Sequence, residues 1–348
     1  MGKKRKTRRE IGGLFVHLDR RERAAEITTP LDTLNERIDF ELFRSLLEEL
    51  VPRKDTSKGG RPPFDHVFML KILILQSYYG LSDEKTEFEI LDRRSFQRFL
   101  RIEDEGRIPD RTTIWNFKEE IGEAGANRLF DLFHQKLEEA GLIGRKGRIV
   151  DASFVDAPRQ RNSRDENNKI KETGEPIEEW SDAKTAQKDV DGRWTKKNDE
   201  THFGYKNHVS IDEESKLIDR FDTTSANVHD SNRFTEFLED CAIDRVHADS
   251  AYKSAEHDQW LNEQGIKNRV HEKGRRNHPL NGNQKRSNTA KSRIRARVEH
   301  IFGFMSQVMG ADRVRSIGRE RAGRFNALSN LTYNIARTCQ LGASVQKA

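Results

Sequence analysis

At Arg148 the spacing of apolar residues changes period, and that change constrains the fold more than any other feature of the chain. Before it, apolar residues recur at helical spacing; after it, short apolar runs bounded by turn residues alternate with helical segments. Ile149, Val150 and Val155 surround Asp151 in a strand-like run. Phe203 to Ile211 and Lys216 to Asp222 read as two strands joined by the turn Asp212-Glu213-Glu214-Ser215. Ser231 to Ile243 reads as a helix, Arg245 to Tyr252 contains a short strand, Glu256 to Gly265 is helical, and Lys267 to His271 fits a fifth strand. This order predicts a mixed α/β sheet flanked by helices.

Three parts follow along the chain. Residues 1–60 read as a polar arm ending in the Lys/Ser/Gly linker Lys54 to Gly60. Residues 61–145 read as an all-α domain. Its run Val67, Phe68, Met69, Leu70, Ile72, Leu73, Ile74 and Leu75 is apolar nearly all round, as in a buried helix, and Gly80 stops it. Ser82 opens a second helix, Arg93 to Arg101 forms a short basic one, and Asp110 caps a fourth. Such short helices fit either a helix-turn-helix-like DNA-binding module or a plain helical packing domain, with Arg93, Arg94, Arg98, Arg101 and Arg111 favouring the first. Residues 146–340 carry the sheet, interrupted at 158–200 by a polar insertion with Trp180 and Trp194 as isolated aromatics, predicted to stay outside the sheet.

Hydrophobic residues make up 34% and charged residues 35%, so a packed core must coexist with long solvated segments. Cys241 and Cys339 alone exclude a disulfide framework or a cysteine-rich zinc site. No window approaches a membrane span, and a soluble cytoplasmic protein with no membrane partner is expected. The net charge of +5 is modest, but between Lys273 and Arg297 the residues Arg275, Arg276, Lys285, Arg286, Lys291, Arg293, Arg295 and Arg297 meet no Asp or Glu. A stretch of this kind repels itself unless an anion lies against it, which makes these eight candidate contacts to DNA phosphates.

Asp151 follows Ile149-Val150 directly, and Asp249 follows Val246-His247-Ala248 at what reads as a strand end. Each either caps the next turn or, as a carboxylate drawn out of water, is offset by a bound cation. Glu299 lies in a helix striped by Ile294, Val298, Ile301, Phe302, Met305, Val308 and Met309. At about 100° per residue it projects roughly 120° from the stripe, towards solvent or a cleft beside the sheet, or pairs with Arg295 one turn earlier. Carboxylates are hard oxygen ligands that suit magnesium or manganese, and two such ions serve in-line phosphoryl displacement.

The blocks Ile149-Val150-Asp151-Ala152-Ser153, His202-Phe203-Gly204-Tyr205-Lys206-Asn207-His208, Ala226-Asn227-Val228-His229-Asp230, Ala248-Asp249-Ser250-Ala251-Tyr252 and Ile294-Arg295-Ala296-Arg297-Val298-Glu299-His300 occur in this order. In them the chain resembles the insertion-sequence DDE transposases of the IS-five group, with an InsH-like layout over most of its length. The resemblance implies an RNase H-like fold, a helical N-terminal region and a metal-binding catalytic triad on Asp151, Asp249 and Glu299, 98 and 50 residues apart. It further implies Mg2+, two ions by the two-metal scheme, with Mn2+ able to substitute. The implied partners are double-stranded DNA, both terminal inverted repeats and target, and further copies of the chain on that DNA. Arg295 matches an arginine of the family's last motif. Ser306 stands where relatives often carry a basic residue, and Ser153 where they often carry Thr. A nuclease on the same fold without strand transfer, and an inert DNA-binding regulator, are the alternative readings.

Overall fold

The computed structural model describes residues 22, 23, 26–52, 59, 62–102, 106–197, 199–274 and 278–346. Helices Pro30–Arg37 (α1) and Arg44–Leu50 (α2), joined by a 3-10 turn at Phe40–Phe43, come first. Then follow His66–Tyr78 (α3), Asp83–Asp92 (α4), Arg94–Leu100 (α5) and Arg111–Glu139 (α6). The side chains of Asp65, Ser82 and Asp110 each accept a backbone N–H of the first turn, so α3, α4 and α6 start where the sequence puts a capping residue.

Residues 30–51, expected as part of a polar arm, are instead core. Leu31, Leu34, Ile38, Phe40, Phe43 and Leu47 are all buried, at helical spacing within a segment whose outward positions are charged. Of the expected linker Lys54 to Gly60, all but Gly59 lies outside the described residues.

The sheet is built from Gly147–Asp156 (β1), Arg193–Lys197 (β2), Glu200–Asp212 (β3), Ile218–Ser225 (β4), Arg245–His247 (β5) and Lys267–Asn268 (β6). β3 runs antiparallel to β1 and, on its other edge, to both β2 and β4. β5 lies parallel to β1, and β6 parallel to β5. An antiparallel meander extended on the β1 side by two parallel strands is the RNase H-like arrangement, a mixed sheet flanked by helices. The β3–β4 turn is tied by Asp212, whose Oδ1 accepts from the N–H groups of Glu214 and Ser215 and from the Ser215 hydroxyl.

Two expectations about the sheet region fail. The 158–200 insertion carries its own helices, Arg164–Thr173 (α7) and Asp182–Thr185 (α8), around a small cluster of Ile170, Ile177 and Trp180. It then returns as β2 into the sheet it was expected to avoid, because the alternating Arg193–Lys197 run meets an open edge of β3. The helix expected over Ser231 to Ile243 is a 3-10 turn, Asp230–Arg233, followed by irregular turns that bury Phe234, Phe237 and Leu238, with Asp240 left-handed at φ 58°.

Alternate residues of β1 face opposite layers. Val150 packs with Val246, Ala248, Phe234, Tyr252 and Leu261, the last on helix Ala255–Glu263 (α9). Ile149 packs with Val209 and Ile211 in a core that also holds Val298 and Ile301 of helix Gly282–Gln307 (α10) and Leu331 of helix Arg319–Gln340 (α11). That same core takes in Leu31, Leu70, Phe99 and Phe133, so the helical region and the sheet share one continuous interior. Helix α11 joins them: it packs on α6 on one side and β4 on the other. Towards the sheet it presents Asn326, Asn330 and Asn334, one per helical turn, hydrogen-bonded to Thr223, Asn207 and both backbone groups of Ile218. Among the described residues no helix is long and apolar enough to cross a membrane.

Candidate active site

The parallel pairing of β1 and β5 sets Ile149 opposite His247. Continuing that register by two residues puts Asp151 level with Asp249, on the side of the sheet where α10 packs against both strands. The 98-residue spacing of these two aspartates is therefore the spacing of a strand pair. Asp249 caps the 3-10 turn Ser250–Tyr252, its Oδ1 accepting the Ala251 N–H at 2.7 Å, so the capping reading of this residue holds locally. Asp151 is 8% exposed and accepts the N–H of Ala152 at 2.9 Å.

Glu299 comes from the exposed flank of α10, anchored below by Val298 and Ile301. Arg295, one turn earlier, links it to the sheet: Nη1 donates to Asp151 Oδ2 at 2.9 Å and Nη2 to Glu299 Oε1 at 2.5 Å. Asp151 and Glu299 are thus joined through one guanidinium, while Asp151 and Asp249 act on each other through their charges.

Burial pushes the Asp151 carboxyl up to about 6; the Ala152 N–H and Arg295 oppose the rise, and the Asp249 charge adds to it. A buried carboxylate with the Asp249 charge acting on it, opposed by Arg295 in contact and by the charge of Lys197, still has its pKa raised and so has room for more positive charge. In charge and in donor type, hard oxygens throughout, these residues fit divalent cations. Their spacing in this structure is looser than a cage, since among the described residues no three Asp, Glu, His or Cys side chains stand close enough to hold one ion.

Two more residues belong to this neighbourhood. The Tyr252 hydroxyl is buried without a hydrogen-bond partner, and burial, together with the charges of Asp151, Asp230 and Asp249, raises its pKa well above the ordinary phenol. Lys206 Nζ donates to Asp230 Oδ1 and to the Val228 carbonyl, both at 2.7 Å, joining two of the sequence blocks. The sequence marked Tyr252 only by its place three residues after Asp249, and the Lys206–Asp230 pair only by block membership. Gly204, in the same block as Lys206, has φ 143° and lies so close to the end of β1 that a Cβ there would stand 2.5 Å from the Val155 carbonyl oxygen.

The eight basic candidates divide. Arg275 and Arg276 lie outside the described residues. Lys285, Arg286 and Arg293 are exposed on α10. Lys291 is buried, donating to the Val270 carbonyl at 2.6 Å and standing 3.5 Å from Glu272. Arg297 donates to the Glu213 carbonyl, and Arg295 is engaged by Asp151 and Glu299. The anions missing from this stretch of sequence are thus in part supplied by distant parts of the same chain. In the helical region Arg98 is likewise held by Asp32, at 2.6 Å, and Arg93 by Glu89, while Arg101 and Arg111 are exposed.

Solved structures similar to this chain include a piggyBac transposase synaptic complex with hairpin DNA, 13% identical with a TM-score of 0.40 over 92% of this chain and 78% of that one. They also include a pre-cleavage Mos1 transpososome, 9% identical with a TM-score of 0.20 over 80% and 98% of the two chains. Likenesses this low carry no weight beside the strand order. The family comparison does. A model described as "Transposase domain (DUF772)" matches residues 18–120, across the helical region. A second, described as "Transposase DDE domain", matches residues 143–335, more than half of the chain and every strand of the sheet. The chain therefore belongs to the DDE transposase family, and the enzyme is a transposase.

Proposed function

We propose that this transposase cuts DNA at the ends of a mobile element and joins them to target DNA, with Asp151, Asp249 and Glu299 as its metal-binding catalytic residues. Domains of this family use divalent metal ions. In this chain the ions are Mg2+, two in number, replaceable by Mn2+. Bound there, they would activate the attacking water or 3′-hydroxyl and stabilise the leaving oxygen of an in-line displacement. The observation that carries this reading is the parallel register of β1 and β5, Ile149 opposite His247, which runs on towards Asp151 and Asp249, with Glu299 tied to Asp151 through Arg295.

The chain's own residues set the geometry. β1 carries Asp151, the turn that follows β5 carries Asp249, and α10 carries Glu299. Burial of Asp151 keeps water from screening its charge, which strengthens its hold on a cation. Exposed Lys285, Arg286 and Arg293 lie on α10, the helix that carries Glu299, and contact backbone phosphates of double-stranded DNA. The terminal inverted repeats of the element are read by the helical region, and the chain works as a homo-oligomer on DNA. The five sequence blocks support membership of the IS-five group with an InsH-like layout.

Asp249→Asn tests the assignment. The variant should bind end-containing DNA as the wild type does, yet lose Mg2+-dependent nicking of labelled ends by at least about a thousandfold. Cleavage at wild-type rate by that variant would end the assignment. Cleavage by the wild type without joining of labelled 3′-ends to a plasmid would leave a nuclease.

A further inference from the structure

Arg295 touches two of the three carboxylates at once. Its planar guanidinium spans from Asp151, in the floor of the site, to Glu299, on the exposed flank of α10. It bridges the two, and among the described residues no three acidic groups close on a common point. The third nitrogen, Nε, is buried and donates to nothing. In a resting place chosen for hydrogen bonding alone, a guanidinium fork satisfies its N–H groups. Here the Nε–H is left unmatched while each Nη reaches one acid.

Ile294 packs against the core and Val298 is buried in it, so α10 is anchored on either side of Arg295 and the side-chain torsions are the cheapest way for its guanidinium to move. A guanidinium is a single delocalised charge whose fork matches a phosphate as well as it matches a carboxylate. Divalent ions compete for the same carboxylate oxygens with twice the charge. If ions take Asp151 and Glu299, Arg295 loses both partners and lies at the mouth of the site, where a scissile phosphate would come.

We propose that Arg295 is the resident counter-ion of the acidic centre: it bridges Asp151 and Glu299 in the metal-free enzyme, competes with divalent ions for them, and on displacement turns to a substrate phosphate. It is a positioning residue, and its role rests on the reading of Asp151, Asp249 and Glu299 as metal ligands. Two consequences have opposite signs. Loss of the guanidinium strengthens ion binding to the free protein, and it weakens DNA binding only when ions are present.

The test is calorimetric titration of Mn2+ into the full chain without DNA, for wild type, Arg295→Gln, Arg295→Lys and Asp249→Asn, with melting curves to confirm folding. Arg295→Gln is expected to bind Mn2+ about tenfold more tightly than wild type. Arg295→Lys, which keeps the charge but cannot span both acids, should fall between, and it carries the test if the Gln variant does not fold. DNA affinity measured in EDTA should be the same for wild type and Arg295→Gln, whereas in Ca2+ the variant should bind several-fold more weakly. Unchanged or weaker Mn2+ binding by folded Arg295 variants, with Asp249→Asn impaired, overturns the counter-ion role and leaves the triad standing. Wild-type Mn2+ binding by Asp249→Asn overturns the triad itself.

Discussion

Asn334 offers the sharpest measure of what holds the helical region to the sheet. Its side-chain oxygen accepts the Ile218 N–H at 2.8 Å and its amide nitrogen donates to the Ile218 carbonyl at 2.8 Å, with both residues fully buried. Asn334→Leu keeps the branch at Cγ and opens no cavity, but its methyl groups are bulkier than the amide and it strands one backbone donor and one acceptor in a dry interface. Each buried unpaired group costs about 1–3 kcal/mol, so the expected loss is about 2–6 kcal/mol. That is a large part of a total stability of roughly 5–15 kcal/mol. Urea unfolding followed by far-UV circular dichroism and tryptophan fluorescence should show the midpoint fall by about 1 M or more. Leu331→Met, a volume-conserving change on the same helix, should cost less than about 1.5 kcal/mol. A loss under about 1 kcal/mol for Asn334→Leu would refute the argument, since it would mean that Ile218 finds other partners.

Three further outcomes follow from the same structure. Gly204→Ala places a Cβ 2.5 Å from the Val155 carbonyl oxygen and 2.6 Å from the Ala157 nitrogen, and should cost about 3 kcal/mol or more in melting experiments. Gly174→Ala, at φ 72° with nothing within 4 Å, should cost only about 1–2 kcal/mol. Burial alone would raise the Asp219 carboxyl, but hydrogen bonds from His134 and Arg148, with the Arg148 charge, hold it below the usual range. A depressed carboxylate contributes stability above its ordinary pKa and loses it as pH falls through the lowered one. Melting temperature should therefore drop below about pH 4, and Asp219→Asn should flatten that drop while losing about 3 kcal/mol at pH 7. Replacing Lys285, Arg286 and Arg293 together by Ala should reduce the slope of log DNA affinity against log salt by about 2 to 3, whereas Lys291→Ala should lower stability and leave the slope in place.

Much of the sheet was legible in the chain because its strands follow local rules. The apolar pair Ile149-Val150, the Asp212 to Ser215 turn and the short run before Asp249 each carry their own pattern. The candidate acids were legible for the same reason, as charges set in or beside apolar strand and helix patterns. What local pattern hides is partnership. Lys291 reads as a cation awaiting an anion, yet Glu272 and the Val270 carbonyl hold it from across a loop. Residues 193–197 look like part of a polar tract, and only the free edge of β3 makes them a strand. Leu31 to Leu47 look sparse until α5 and α11 are set against them. Phe234, Phe237 and Leu238 sit at helical spacing, but the second core takes them as turns.

Helix α11 is buried on nearly every side, from Ala322 to Thr338. It follows both layers in chain order, so until it is synthesised β4 shows its polar ladder positions, and α6 its apolar flank, to water. Each half can pack part of its own core before that, but the surfaces that await α11 should need shielding until it emerges. Production of the catalytic segment alone, cut from the helices at residue 143, would strip α11 of most of its contacts. Such a fragment should aggregate, although its boundaries follow the family domain.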